Sequence, residues 1–93
     1  MELPVNYDKI SSAKRKLVRE EYARRQDGRC LYCSGLLTEQ VSSLVKLIPI
    51  NRKLFPRNFF QWPVHLHHDH KTGMTVGAVH AYCNAILWQH HGE

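Results

Sequence analysis

Cys30-Leu31-Tyr32-Cys33 and His80-Ala81-Tyr82-Cys83 share one spacing, with two residues between the members of each pair. Thiolate sulfur and imidazole nitrogen are donors that zinc prefers, and Cys3His is one of its closed tetrahedral environments. The spacing lets both members of a pair reach one ion from a single turn. Because the pairs lie far apart in the chain, a shared ion would fasten its first third to its last. Three cysteines cannot all pair within one chain, which argues against a disulfide framework. Zinc ligation and buried free thiols remain, and the spacing favours zinc.

Between these pairs runs His65-Leu66-His67-His68-Asp69-His70, four imidazoles and a carboxylate in six residues. Neutral imidazole ligates metals and accepts protons near neutral pH. Neighbours on a strand point to opposite faces. His67 and His68 could therefore divide the work, one holding a cation and the other reaching a substrate water. A row of exposed histidines on an edge hairpin is the bland alternative. Asn84 directly follows Cys83, so a clamp would fix its position. Its side-chain oxygen suits a hard cation, or it caps a helix, a role asparagine favours. His90 and His91 fit the last turn of a helix, where the dipole welcomes them.

These residues need elements to position them. Met1 to Asp8 reads as an extended arm. From Ile10 to Gln26 the pattern is helical, with Ile10, Ala13, Leu17 and Val18 near one face. Ser11 or Ser12 can cap its start and Asp27-Gly28 stops it. A knuckle follows at Cys30–Gly35. Within 38–63, Leu44–Ile48 could be a short strand or the end of a second helix, and Pro49, Pro56 and Pro63 break the stretch into pieces. Val64–His70 reads as a strand, Lys71-Thr72-Gly73 as the turn and Met74–Val79 as the return strand. The final helix is expected from Asn84 to Gln89 or His90. The order is helix, knuckle, irregular insert, hairpin, knuckle, helix: an α+β domain.

Ninety-three residues make one domain, too small to bury much surface without a staple,. The hydrophobic content of 43% fits a globular chain and excludes a disordered tail,. No apolar run reaches the length of a membrane span or a signal peptide, so the expected address is cytoplasmic with no membrane partner. The formal net charge is +5, and eight of the thirteen Lys and Arg residues precede Cys30. That asymmetry suits a polyanion such as nucleic acid. A solvated helix face explains Lys14, Arg15, Lys16, Arg19, Arg24 and Arg25 equally well. The insert's Arg52, Lys53, Arg57 and aromatic residues could contact DNA, but a cover for the small core is favoured.

The combined pattern resembles the HNH, or ββα-metal, nucleases, and most closely their phage endonuclease VII-like branch. That branch carries Asp-His-x-His-x-Thr-Gly, a glycine before two apolar residues, and Cys-x-x-Cys-Asn. Here the corresponding run is His67-His68-Asp69-His70-Lys71-Thr72-Gly73, then Gly77-Ala78-Val79-His80-Ala81-Tyr82-Cys83-Asn84, without a gap. The resemblance covers residues 12–36 and 64–88; the insert at 38–63 has no counterpart. His67 stands where the branch has aspartate, and His80 where it has cysteine.

The resemblance implies a small zinc-stapled, treble-clef-like ββα-metal domain over 1–93: a basic N-terminal helix, a His-rich hairpin and a C-terminal helix. It implies a phosphodiester-hydrolysing DNA endonuclease in a phage or prophage setting. His68 would be the general base, and His67 and Asn84 would ligate catalytic Mg²⁺ or Mn²⁺. Structural Zn²⁺ would sit on Cys30, Cys33, His80 and Cys83. His65, Asp69, His70, Lys71, Arg24 and Arg25 would support the site or contact DNA. The neutral ligand His67 shifts preference toward Mn²⁺ or a later transition metal. Double-stranded DNA is the expected partner, and with no long dimerisation helix a monomer that nicks is favoured. The alternative is a zinc-stabilised nucleic-acid-binding module without catalysis.

Overall fold

Ser11 begins the first helix by accepting a hydrogen bond from the Lys14 amide at 3.1 Å, satisfying an N–H that the first helical turn leaves unpaired. This is seen in a computed structural model describing residues 1–93. The helix, α1, spans Ser12–Arg25. Asp27 at φ 59° and Gly28 at φ 73° turn the chain out of it, and the Gly28 amide closes on the Ala23 carbonyl at 2.8 Å,.

The expected apolar face of α1 is corrected. Leu17 points to solvent at 53% exposure and only Val18 is buried. The helix instead presents Arg15, Val18, Arg19, Tyr22 and, just past its end, Gln26 to the rest of the molecule. It docks largely through polar contacts. Tyr22 Oη meets Thr75 Oγ1 at 2.9 Å, and the Gln26 amide bonds both N and O of Ala78 at 2.9 Å. A search for apolar periodicity cannot see a face of that kind.

Strands β1 (Val64–His68) and β2 (Thr75–His80) form the antiparallel hairpin. Asp69 ends β1 two residues before the expected His70. Its carboxylate accepts from the Lys71 and Thr72 amides at 2.7 and 3.1 Å, folding the turn early,. Gly73 completes that turn at φ 78°. The register shifts between His67 and His68, which pair with Gly77 and Thr75. Such a bulge re-aims the side chains beside it.

The far edge of β2 is covered rather than left open. The Thr75 amide donates to the Val5 carbonyl at 2.9 Å and the Tyr7 amide to the Gly73 carbonyl at 2.7 Å, so the N-terminal arm adds to the hairpin. Further along, Gln26 and the Leu31 amide take the place of a strand. The approach is close: a Cβ on Gly77 would stand 2.6 Å from Leu31 Cδ2 and 2.8 Å from Gln26 Oε1.

Helix α2 covers Ala81–His91, starting three residues before the expected Asn84. Gly92 at φ 69° ends it. The insert is neither strand nor second helix. It holds short 3₁₀ turns at Val45–Leu47 and Arg52–Leu54 and straps α2 from outside. Tyr82 Oη donates to the Ile48 carbonyl at 2.6 Å, and the Asn51 amide donates to Gln89 Oε1 at 2.8 Å. Phe55, Phe59 and Phe60 pack on one another, and Phe55 packs on Trp88. Three prolines break the stretch into short turns that satisfy much of its backbone locally, and side chains of α2 meet the Asn51 amide and the Ile48 and Pro49 carbonyls,.

The result is an α+β fold of two helices and a two-stranded sheet. Only 16 of 93 residues are buried, which is why a small core needs reinforcement. The main cluster (Cys30, Leu37, Ala78, Val79, Cys83, Leu87) includes two of the three thiols. No helix is long and apolar enough to cross a membrane.

Candidate metal centre and active site

Four donors converge where the knuckle meets the β2–α2 junction. Cys30, Cys33, His80 and Cys83 bring their ligand atoms within 4.8 Å of one another. His80 is the last residue of β2 and Cys83 lies in the first turn of α2. His80 Nε2 faces the carbonyls of Leu36 and Glu39, both at 2.9 Å. It must carry the proton, so Nδ1 is left as a lone pair. That lone pair lies 3.4 Å from Cys33 Sγ and 3.8 Å from Cys83 Sγ. Zinc's bond lengths give a tetrahedral N–S edge of roughly 3.6 Å, so these donors fit a zinc ion. The Cys30 thiol is held down to about 4 by its hydrogen bond with Cys83 and by backbone N–H groups of Cys33, His80 and Tyr32, while Cys83 is pushed up. A shared cation would relieve that competition between thiolates. The donor set can hold a metal and leaves no obvious position for substrate.

The second constellation is built differently. His67, only 2% exposed, points from β1 at α2. Its Nδ1 lies 3.2 Å from Asn84 Oδ1. Asn84 Nδ2 in turn lies 3.0 Å from His65 Nδ1. Burial keeps the His65 imidazole below its ordinary pKa and hence neutral, able to accept the amide proton,. That bond sets the orientation of Asn84 so that its oxygen, the atom of this side chain that could ligate a metal, faces His67,. Because α2 starts at Ala81, Asn84 lies inside the helix, and the N-cap alternative is excluded. Neighbouring ligands of an octahedral Mg²⁺ stand about 3.0 Å apart at bonds near 2.1 Å. His67 and Asn84 therefore fit two adjacent positions. On the other side of the ring, Glu93 Oε1 is 4.0 Å from His67 Nε2.

His68 faces elsewhere, toward the N-terminal arm. Its ring stacks on Tyr7, with centroids 3.9 Å apart and planes 9° from parallel. The Arg15 guanidinium lies 3.8 Å from the same Tyr7 centroid. Groups of that size can only occupy opposite faces, so Tyr7 is sandwiched between cation and imidazole. Arg15 is locked there by donating twice to the Tyr7 carbonyl, at 3.1 and 2.9 Å. The His70 ring lies tilted against His68, with centroids 4.6 Å apart. Burial, then the charge of His70, hold the His68 pKa below 6.5, against a smaller opposing pull from Asp8. No hydrogen bond within the chain engages its ring nitrogens. No buried side-chain N or O is left without a partner, so those nitrogens must reach solvent.

Asp69, Arg24 and Arg25 make contacts within the chain. Asp69 makes the turn, and the Thr72 and Lys71 amides lower its carboxyl pKa. Lys71 and His70 are exposed at the hairpin tip. Arg24 and Arg25 both close on Glu21, at 2.7 and 2.8 Å, and hold its carboxyl near 2. Arg25 also donates to the Met1 carbonyl. His90 engages the Pro49 carbonyl at 2.6 Å.

The cations that do approach the site are Arg15 and Arg19. With Tyr7, Phe59, Trp62, His65 and Asn84, they border a cleft of about 390 Å³. Sequence reasoning grouped Arg15 and Arg19 with the other helix cations and gave Tyr7 no role. Their spacing with Val18 and Tyr22 was the available signal, masked because that face is half polar. No protein-family model, curated protein or solved structure matches the chain.

Proposed function

We propose that this chain is a divalent-metal-dependent DNA endonuclease that hydrolyses phosphodiester bonds, and that its Cys3His clamp holds structural Zn²⁺ in a treble-clef-like ββα-metal domain. The observation that carries this reading is the meeting of His67 Nδ1 and Asn84 Oδ1 at 3.2 Å beside a solvent-reaching His68. The pattern shared with HNH nucleases supports the same assignment, and so does the net charge of +5.

In this reading His67 and Asn84 hold Mg²⁺ or Mn²⁺, which supplies Lewis-acid stabilisation of charge on the phosphate and the departing oxygen. His68, kept neutral at physiological pH, takes the proton from the attacking water. Tyr7 fixes the plane of that imidazole, and Arg15 holds Tyr7 in place. His65 keeps the Asn84 oxygen turned to His67. Arg15 and Arg19 present positive charge to the incoming phosphate chain.

One observation favours the competing reading, a zinc-stabilised nucleic-acid-binding module without catalysis: His67 is almost wholly enclosed. Supercoiled plasmid with Mg²⁺ or Mn²⁺ decides between them. The endonuclease converts it to open-circle or linear DNA, and His68→Ala abolishes the conversion. Folded, zinc-loaded protein that binds the plasmid but cuts it with neither ion would establish the module instead. The ratio of nicked to linear product reports whether a monomer cuts one strand.

A further inference from the structure

The cleft beside Asn84 has more structure than a bound ion and a water require. α1 contributes Arg15 and Arg19 to its lining and the insert contributes Phe59 and Trp62; no carboxylate lines it. Neither arginine joins any of the chain's ion pairs. Arg15 directs Nε and Nη2 to the Tyr7 carbonyl, which leaves Nη1 unengaged. Arg19 makes no hydrogen bond within the chain. Trp62, in the same lining, is 63% exposed. Phe59 is wedged in place by Phe55, Phe60 and the edge of His65.

A concave site that combines unpaired guanidinium groups with aromatic side chains matches a ligand that is anionic at one end and flat at the other. A nucleotide has that form. Its phosphate suits an arginine, and every base offers a π-face for stacking regardless of sequence. At about 390 Å³ the cleft is at the lower end of the range for small organic ligands, about 300–1,000 Å³,. An intact duplex cannot use it. Paired bases have their faces covered by neighbouring base pairs and expose only edges in the grooves. A base reaches Trp62 only when it has left the stack.

We propose that this cleft binds one unpaired nucleotide of DNA, its phosphate on Arg19 and Arg15 and its base against Trp62 and Phe59. The preferred substrate then carries a gap or a single-stranded tail at the site of attack, rather than uninterrupted duplex. The placement next to the cut rests on the nuclease reading; the affinity for an unpaired nucleotide does not.

The test is binding by full-length, zinc-loaded His68→Ala protein without added divalent ion. Fluorescence anisotropy compares a labelled duplex oligonucleotide with the same duplex carrying a short gap. The gapped DNA should bind about tenfold tighter or more, the scale of one base–aromatic stack. Trp62→Ala and Arg19→Gln should each remove most of that preference, and Trp62→Phe should keep much of it. Both positions are at least partly exposed, and circular dichroism confirms that each variant folds. Equal affinity for the two DNAs overturns the proposal. So does a preference that survives both substitutions, because it would then lie elsewhere. A protein that prefers gapped DNA but never cuts any DNA would sink the nuclease reading and leave the cleft standing. A protein that cuts with no such preference would do the reverse.

Discussion

The two donor constellations adjoin at the start of α2, where Cys83 and Asn84 are consecutive residues, and differ in completeness. At the clamp, four donors face one point, and two of them are steadied by backbone: carbonyls on His80 Nε2 and the His80 amide on Cys30 Sγ at 3.4 Å. At the hairpin, two donors meet, His67 and Asn84, while the neighbouring His68 is stacked but makes no hydrogen bond. A closed set has nothing to offer a substrate; an open pair beside a cleft does. One stretch, His65 to Asn84, contributes to both. The difference arises because the clamp recruits the distant Cys30–Cys33 knuckle as its other half, and the hairpin site recruits no further metal donor.

The largest effect should come from breaking the closed side. Structural zinc contributes about 10–16 kcal/mol of apparent binding free energy in small zinc modules, against a total stability of about 5–15 kcal/mol for a small domain. Cys83→Ser or a chelator should therefore abolish the cooperative thermal melt. Asn84→Ala should keep both the melt and the zinc content while losing cleavage. If Cys83→Ser melts like the parent, the clamp is only a cluster of thiols.

Acidification probes the open side next. His65, His67 and His68 all have pKa values held below 6.5, chiefly by burial. An unfolded chain would bind more protons than the folded one below that pH. Their contribution to stability is thus fully present above about pH 6.5 and is lost as pH falls through the lowered folded values. Cleavage should fall about tenfold per pH unit once below the His68 pKa, with a midpoint under 6.5. A rate that does not fall on acidification, in protein that stays folded by circular dichroism, would exclude His68 as the base.

A smaller effect is expected from His65→Ala, which frees the Asn84 amide to turn. Loss of a partner behind a metal ligand costs roughly 10–100-fold in metal affinity or activity. More added Mn²⁺ should restore part of the cleavage, whereas a purely structural role for His65 would lower the melting temperature without moving the metal requirement. Smallest is Gly77→Ala. The new methyl group meets Leu31 and Gln26, both side-chain ends, though Gln26 is fixed by three bonds. A loss of about 1–3 kcal/mol in urea unfolding is expected, with cleavage intact at low temperature.

The grouping of possible metal donors was legible because it depends on residue type and short spacing. Cys30, Cys33, His80 and Cys83 are brought together as their spacing suggests, and His67 on β1 lies beside Asn84 on α2. Element boundaries were less legible. Asp69 ends β1 early through a side-chain bond, and α2 starts at Ala81 because β2 runs directly into it. The insert's form was not readable, since its short local turns are held in place by Tyr82, Gln89 and His90 of a helix far away in sequence.

By itself, then, the amino-acid sequence determined which donors exist and that the chain must fold back to unite them: donor chemistry and two-residue spacing are local properties. Tertiary structure alone decided which cations and aromatics stand beside those donors. Arg15 and Arg19 reach the cleft because α1 docks through Tyr22 and Gln26 to β2, and Arg24 and Arg25 are held by Glu21 instead. Tyr7 reaches His68 because the arm adds to the edge of β2. Such placements depend on contacts between residues tens of positions apart, which no local pattern encodes.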